Sequence, residues 1–317
     1  MTRDGALGMT LVSTSGNPIP DGAAAGMIGT SDGIALRFAR WDSPGRNRGT
    51  VCIFNGRGEF IEKYFETVND LRQRGFAVAT MDWRGQGHSS RLLPDRRKGH
   101  VENFSQYETD VDAFMQQVVL RDCTPPYFAL SHSTGGAVLL RVAHSGKPWF
   151  ERYVFSAPMI DLAGLSGSLL AHALARTLRL AGLASIYMPA PNNDPDQSPR
   201  FEGNELTSDK GRFERNAAIV DADPTLAIGP PTVAWLNAAF DAFVAFRDPN
   251  YAAQIDRPTL MLAAGADTVV SIPAIREFAA RLASGSQRTI EGARHEILQE
   301  KDSCRAQFWT AFDAFMA

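Results

Sequence analysis

Ser133 stands in L-S-H-S-T-G-G, Leu130 to Gly136, after an apolar run and before a helical stretch. A serine hydroxyl is a weak nucleophile until a base takes its proton, and the base needs a third group to orient it. A serine between small residues at a strand-to-helix turn sits on a sharp elbow, close to helix N–H groups that favour developing negative charge. The usual pattern at such an elbow is G-x-S-x-G. Here Ser131 replaces the first glycine and is small enough to be expected to fit, while Gly135 and Gly136 supply the other side. Alone, the motif also reads as an ordinary Ser/Gly turn. Two later residues change the balance. Asp267, in A-A-G-A-D-T-V-V, and His295, in E-G-A-R-H-E-I-L, each follow a strand-like segment, 295 − 267 = 28 residues apart, which leaves room for one helix and one strand. Each has a plain alternative, Asp267 as a turn residue and His295 as a polar helix start. Together, in the order serine, acid, histidine, they predict Ser133 as nucleophile, His295 as general base and Asp267 as its orienting acid. Acyl transfer also needs donors for an oxyanion. The backbone N–H of Thr134 is one candidate. The N–H of Arg57, in the glycine-bearing loop F-N-G-R-G-E-F (Phe54 to Phe60), is the other.

These residues need a scaffold that brings strand ends together. Strand-like runs are expected at Thr50–Phe54, Phe76–Met81, Tyr127–Leu130, Arg152–Phe155, Thr259–Ala263 and Gln287–Ile290. Helical spacing marks Glu62–Arg74, Ser105–Leu120, Gly135–His144, Thr232–Phe246, Pro273–Leu282 and Ala306–Phe315. Ser105 with Glu108 resembles a capping box. Alternating βα units with continuous apolar strands imply a mostly parallel, doubly wound sheet covered on both faces, with sites at the strands' C-terminal ends. Gly33–Trp41 alternates like an antiparallel edge strand. The rhythm fails between Pro158 and Pro231, too long for an ordinary connection. The expected division is an N-terminal extension at 1–26, a core at 27–157 and 232–317, and an inserted helical cap at 158–231. Within the cap, Leu165–Leu183 is helical, with Leu170, Leu174, Leu178 and Ala181 on one face and His172, Arg176 and Arg179 elsewhere. That face could cover an acyl chain, touch a membrane surface or pack on the core.

Composition removes several classes. The chain has 317 residues, 44% hydrophobic and 21% charged, within the range of ordinary globular proteins. A net charge of −3 offers no polyanion surface, so nucleic acid is not an expected partner. Cys52, Cys123 and Cys304 are dispersed and odd in number, which argues against a disulfide framework or a zinc site and fits a reducing, cytoplasmic setting. There is no apolar run of membrane-spanning length, and residues 1–26 do not read as a secretory signal. The Asp and Asn residues at 192–196 lack calcium-loop spacing, so no metal is assigned.

N-G-R-G-E at 55–59 resembles the H-G-x-G-E loop of monoacylglycerol lipases and bacterial lysophospholipases, and M-D-W-R-G-Q-G-H-S-S at 81–90 resembles their D-x-R-G-H-G-x-S motif. With S-H-S-T-G-G, G-x-D and G-x-x-H-E, the resemblance covers roughly residues 30 to 315. The segments at 213–224 and 229–236 look more like the bacterial lysophospholipase branch. The resemblance implies an α/β-hydrolase fold and a cofactor-independent serine esterase acting on a lipid or other small-molecule ester, with peripheral membrane contact through the cap left open. It maps the family triad onto Ser133, Asp267 and His295, and the oxyanion donors onto Arg57 and Thr134. Asn55 replaces the family's loop histidine and Ser131 its elbow glycine, departures that bear on substrate choice. Glycines and Arg84 in the Asp82–Ser90 loop have two readings, a place near the site or a structural loop that ties strand ends together, and the structural one is favoured. The family also holds aminopeptidase-like members, for which Glu202, Glu205 or Asp209 would be expected to hold an amino terminus. The same residues also admit a short-chain carboxylesterase or a catalytically silent binding protein. A dehalogenase would carry aspartate at the elbow. Oligomeric state is not legible.

Overall fold

The computed structural model describes residues 11–165, 167–188 and 200–317. The passage Pro189–Pro199, with its Asp and Asn residues, and the first ten residues of the N-terminal extension lie outside them. Eight strands form one sheet: β1 (Ala24–Gly29), β2 (Ala35–Trp41), β3 (Thr50–Phe54), β4 (Ala77–Met81), β5 (Tyr127–His132), β6 (Arg152–Ser156), β7 (Thr259–Ala264) and β8 (Gly285–Ile290), in the order β1-β2-β4-β3-β5-β6-β7-β8. The pairs from β4 through β8 are parallel, while β1–β2 and β2–β4 are antiparallel. Every residue of β3, β4 and β7 is buried, as expected for strands covered on both faces.

The antiparallel element expected at Gly33–Trp41 exists as β2, but it is not the edge. β1 pairs along its outside, Ala24 opposite Arg40 through Gly29 opposite Ala35. The Ala- and Gly-rich sequence of β1 (A-A-G-M-I-G) carries little strand propensity, and the expected boundary at 26/27 cuts through it.

Ten α-helices are present among the described residues. They are α1 (Phe65–Gln73), α2 (Ser105–Phe114), α3 (Leu120–Asp122), α4 (Thr134–His144), α5 (Leu169–Leu180), α6 (Lys210–Ala222), α7 (Val233–Phe246), α8 (Pro249–Ala253), α9 (Ile272–Ala279) and α10 (Asp302–Met316). The helix expected as one piece from Ser105 to Leu120 is interrupted by a π-helical turn over 115–119. The expected capping box is absent as well. Ser105 is already the first helical residue, and its N–H is capped by Asn103 Oδ1 at 2.8 Å, while Gln106 Oε1 accepts from Glu102 N at 2.8 Å. Under the sheet, Phe54 meets Phe114 and Phe150 edge-on at ring separations of 6.0 and 5.7 Å, which fixes the base of the loop that follows β3.

The described part of 158–231 carries α5 and α6 and no sheet strand. On α5 the apolar stripe does not pack on the core. Leu170 is 82% exposed and Leu174 50%, and the buried position is Ala175. What faces α7 is polar and small instead: His172 Nε2 meets Asp241 Oδ1 at 3.0 Å, and nearby Arg179 pairs with Glu102 at 2.9 Å. Leucines spaced i, i+4 define a face but not which way it points, and here the His172–Asp241 contact and the Arg179–Glu102 pair hold the opposite side inward.

α6 is fixed by charge. Arg212 grips Glu66 of α1 with Nε at 2.9 Å and Nη2 at 2.6 Å, and reaches Asp302 of α10 at 2.6 Å, while Arg215 also reaches Glu66 at 2.6 Å. Burial pushes the Glu66 carboxyl up, but Arg212, Arg305 and Arg215 outweigh it and hold it at about 2. A carboxyl depressed in the folded state contributes stability that is complete above its unfolded value and is lost as pH falls toward the folded one. The midpoint of urea unfolding is therefore expected to drop between pH 4.5 and about 2. Glu66→Gln should flatten that dependence and cost ~1–2 kcal/mol at neutral pH. An unchanged acid limb in the variant would remove Glu66 from this role.

Candidate active site

The elbow comes from the junction of β5 and α4. Ser133 has φ +50° and ψ −115°, a backbone state that L-residues adopt only under constraint. The constraint is visible. Ser133 N–H donates to Ser156 O at 3.2 Å, and Ser133 O accepts from Met159 N at 3.0 Å. Neighbouring backbone approaches so closely that a Cβ on Gly135 would lie 2.3 Å from Phe54 O and 2.6 Å from Asn55 O, and one on Gly136 would lie 2.9 Å from Pro158 Cα. Gly135→Ala therefore puts a methyl group against carbonyls that cannot turn away. It is expected to cost about 3 kcal/mol or more, read as a lower unfolding midpoint. A variant with wild-type stability would show that the loop yields. Ser131, in the glycine's usual place, fits as a buried residue whose Oγ has no hydrogen-bond partner among the described residues.

The structure brings Ser133, Asp267 and His295 together from the ends of β5, β7 and β8. His295 Nε2 lies 2.9 Å from Ser133 Oγ, and His295 Nδ1 lies 2.8 Å from Asp267 Oδ2. All three are buried. Asp267 Oδ1 accepts from Val269 N at 2.8 Å and Val270 N at 3.0 Å, which orients the carboxylate. Burial would raise its pKa, but the hydrogen bond and charge of His295, with the two backbone donors, bring it below the usual aspartate range. An ionised Asp267 accepts the proton on Nδ1, which leaves Nε2 to accept from the serine hydroxyl.

The β3 loop abuts this elbow, since a Cβ on Gly56 would lie 3.0 Å from His132 Cδ2. Within the loop, Gly56 N–H donates to Glu59 Oε2 at 2.5 Å and Gly58 N–H to Gln86 Oε1 at 2.8 Å. The Arg57 N–H between them has no acceptor among the described residues. Thr134 N–H, in the first turn of α4, likewise has no intrahelical acceptor. Both expected donors are thus unspent. Asn55 is buried; its side-chain Nδ2 donates to Met81 O at 3.1 Å and its backbone O accepts from Trp83 Nε1 at 2.8 Å, while its Oδ1 has no partner among the described residues.

Beneath the loop lies a charge cluster that reading the sequence did not single out. Lys63 Nζ sits 2.8 Å from Glu59 Oε1 and 2.6 Å from Glu296 Oε1. Glu59 Oε2 also accepts from Tyr64 OH at 2.6 Å, and Glu59 Oε1 lies 4.0 Å from His132 Nε2. Burial works against the Glu59 charge, but Lys63 and His132 hold the carboxyl at about 2. Burial lowers His132, with Glu59 opposing, and its ring lies 4.7 Å from that of His295. The signals were in the motifs: Glu59 ends N-G-R-G-E, His132 precedes Ser133, and Glu296 follows His295. Glu59 stands four residues before Lys63, a spacing that suits an ion pair, whereas His132 and Glu296 carry no spacing that ties them to it.

The Asp82–Ser90 loop is a tie between strand ends. Asp82 Oδ2 accepts from Arg37 Nε at 2.7 Å and His88 N at 2.8 Å, and Arg84 Nη2 pairs with Asp110 at 2.7 Å. A cavity of about 270 Å³ opens beside the β3 loop, walled by Arg57, Glu59, Phe60, Lys63, Phe213 and Glu296 among others. Glu202, Glu205 and Asp209 are not in its wall, and the Asp209 carboxylate caps α6 and pairs with Arg212 at 2.9 Å. Among the described residues no three His, Cys, Asp or Glu side chains converge to hold a metal, and no helix is long and apolar enough to cross a membrane.

Residues 45–302 match the family model described as a hydrolase, serine aminopeptidase S33. A protein named lysophospholipase L2 from Escherichia coli strain K12 is 33% identical over 287 residues, covering 87% of this chain and 82% of its own. The solved structure of a soluble variant of monoglyceride lipase from Saccharomyces cerevisiae, in complex with a substrate analogue, superposes with a TM-score of 0.72 at 19% identity, covering 92% of this chain and 96% of that one. A thermostable carboxyl esterase from Bacillus coagulans superposes at 0.74 with 15% identity, covering 93% and 97%. These two structures share the fold of this chain.

Proposed function

This chain belongs to the serine aminopeptidase S33 family of α/β-hydrolases, and from that premise we propose that it is a serine hydrolase of carboxylic esters, with lysophospholipids as the favoured substrate class and monoacylglycerols as the second. The observation that carries the reaction class is the buried line from Ser133 Oγ through His295 to Asp267, with spans of 2.9 and 2.8 Å, at an elbow held in a strained backbone state. The 33% identity to a protein named lysophospholipase L2 favours the lysolipid.

Ser133 Oγ attacks the ester carbonyl carbon while His295 Nε2 takes the hydroxyl proton. Asp267 keeps the proton on Nδ1 and stabilises the imidazolium. The carbonyl oxygen becomes an oxyanion, received by the N–H groups of Arg57 and Thr134. Collapse of the tetrahedral intermediate breaks the ester C–O bond, and His295 returns its proton to the departing alcohol. Water, deprotonated by His295, attacks the acyl-Ser133 carbonyl by the same route and frees the fatty acid. No step needs a cofactor. The segment 158–231 acts as a cap, with α6 supplying Phe213 to the cavity wall.

The test is a substrate panel with purified protein beside Ser133→Ala: lysophosphatidylcholine, monoacylglycerol, p-nitrophenyl esters of graded length and an aminoacyl arylamide. Serine-dependent release of long-chain fatty acid from the lysolipid supports the proposal. Turnover of short esters alone, or of the arylamide alone, would keep the three residues and overturn the substrate.

A further inference from the structure

The mechanism gives no part to the charge cluster of Glu59, Lys63 and Glu296. All three are buried, and so is His132 beside them. Buried charges are costly to keep, and replacing them with apolar groups is often neutral or stabilising. What marks this cluster is where its members stand in the chain. Glu59 lies two residues beyond Arg57, Glu296 follows His295 directly, and His132 precedes Ser133 directly. Each segment that brings a reacting group therefore sends one neighbour to the same buried spot. Lys63 comes from elsewhere, the short 3-10 turn Ile61–Tyr64.

The contacts form a closed circuit. Lys63 Nζ lies 2.6 Å from Glu296 Oε1 and 2.8 Å from Glu59 Oε1. Glu59 Oε1 lies 4.0 Å from His132 Nε2, and the His132 ring lies 4.7 Å from the His295 ring. Burial works against the Lys63 charge, but Glu296 and Glu59 outweigh it and raise the pKa above the ordinary lysine value, so the ammonium persists. The second oxygen of Glu59 holds the β3 loop, accepting from Gly56 N at 2.5 Å and from Tyr64 OH at 2.6 Å. Glycine at 56 and 58 leaves that loop free to take other shapes, and the bond from Gly56 to Glu59 removes this freedom. The restriction matters because an oxyanion donor works only when held about 3 Å from the oxygen that develops charge.

We propose that Lys63 is a positioning residue: through Glu59 and Glu296 it fixes the loop that carries the Arg57 N–H against the segment that carries His295. This rests on the ester-hydrolase reading above. Lys63 acts through these two partners and not on the reacting atoms. One ammonium serving two carboxylates sets the spacing between oxyanion donor and general base, which neither loop sets alone. A further tie joins the same segments, Gln299 Nε2 to Lys63 O at 3.0 Å. It uses the backbone of residue 63, so it outlasts replacement of the side chain.

The experiment measures kcat and KM for p-nitrophenyl butyrate, and the rate at which a fluorophosphonate labels the protein, in wild type, Lys63→Met, Lys63→Arg and Glu296→Leu. In Lys63→Met and Glu296→Leu, kcat and the labelling rate are expected to fall about 10- to 100-fold with KM nearly unchanged, because displaced groups lose the transition state and not the bound ester. Lys63→Arg keeps a charge that reaches both carboxylates and should recover most of the loss. Near-UV circular dichroism and Tm report folding. If Lys63→Met does not fold, Glu296→Leu carries the test, since it leaves Lys63 paired with Glu59. Wild-type kcat in folded Glu296→Leu, whatever its Tm, would make the cluster a matter of stability alone and overturn the proposal. A loss confined to KM would assign Lys63 to substrate binding in the cavity wall and overturn it as well. Failure of the ester-hydrolase reading looks different. Wild type would then be neither labelled nor hydrolytic, which overturns that reading and this inference with it.

Discussion

Ser133→Ala is expected to lower kcat on any ester the protein cleaves by about four to six orders of magnitude, with little change in Tm. The loss is large because the three residues act as one unit. Without Oγ, His295 has no proton to take and no acyl-enzyme can form. What remains is the proposed pair of N–H donors, Arg57 and Thr134, which would still stabilise attack by water. Stability is nearly unchanged because alanine inherits the same φ of +50° and the same close packing. Ser133→Gly separates the two effects. It should be as inactive as the alanine variant yet more stable by ~1 kcal/mol, since glycine adopts positive φ without strain. Kinetics and thermal unfolding of both variants check this. Substantial serine-independent turnover would place the chemistry elsewhere.

Asp267→Asn should cost about 10⁴-fold in kcat while leaving the fold intact. The asparagine oxygen can still accept from Val269 and Val270, which the aspartate does at 2.8 and 3.0 Å. Its amide nitrogen then faces His295 Nδ1 as a donor. That stabilises the tautomer with the proton on Nε2, the atom that must accept from Ser133. The variant's defect is thus a misplaced proton, and a fluorophosphonate probe should label it far more slowly than wild type. A loss under tenfold would mean that Asp267 serves the loop and not the histidine.

The elements that hold these residues were legible where burial is two-sided. β3, β4 and β7 are continuous apolar runs, and each was expected within a residue or so of its observed ends. Ser133, Asp267 and His295 were legible because each is pinned by local chemistry, with small residues at the elbow and a polar residue directly beyond a strand. β1 escaped notice because alanine and glycine can pair as a strand without announcing one. The outward turn of α5 escaped for another reason. Periodicity gives a stripe, and only partners far along the chain, such as Asp241 for His172, decide its direction. The Lys63 cluster joins residues up to 233 positions apart, from Lys63 to Glu296, so its members looked like separate motif letters.

The arginines of α6 and the polar side of α5 make the two flanks of segment 158–231 mechanically unequal. On the α6 flank, one carboxylate takes two guanidinium groups, with a further tie to the C-terminal helix. On the α5 flank, the side-chain ties from the helix itself are the His172 contact with Asp241 and the partly exposed Arg179–Glu102 pair. Exposed pairs, the Arg212–Asp302 tie among them, are screened by salt more than the half-buried contacts of Glu66 with Arg212 and Arg215. Raised ionic strength is therefore expected to weaken the side-chain pairs of α5 before those of Glu66, while the backbone bonds from 184–188 to 231–234 hold in either case.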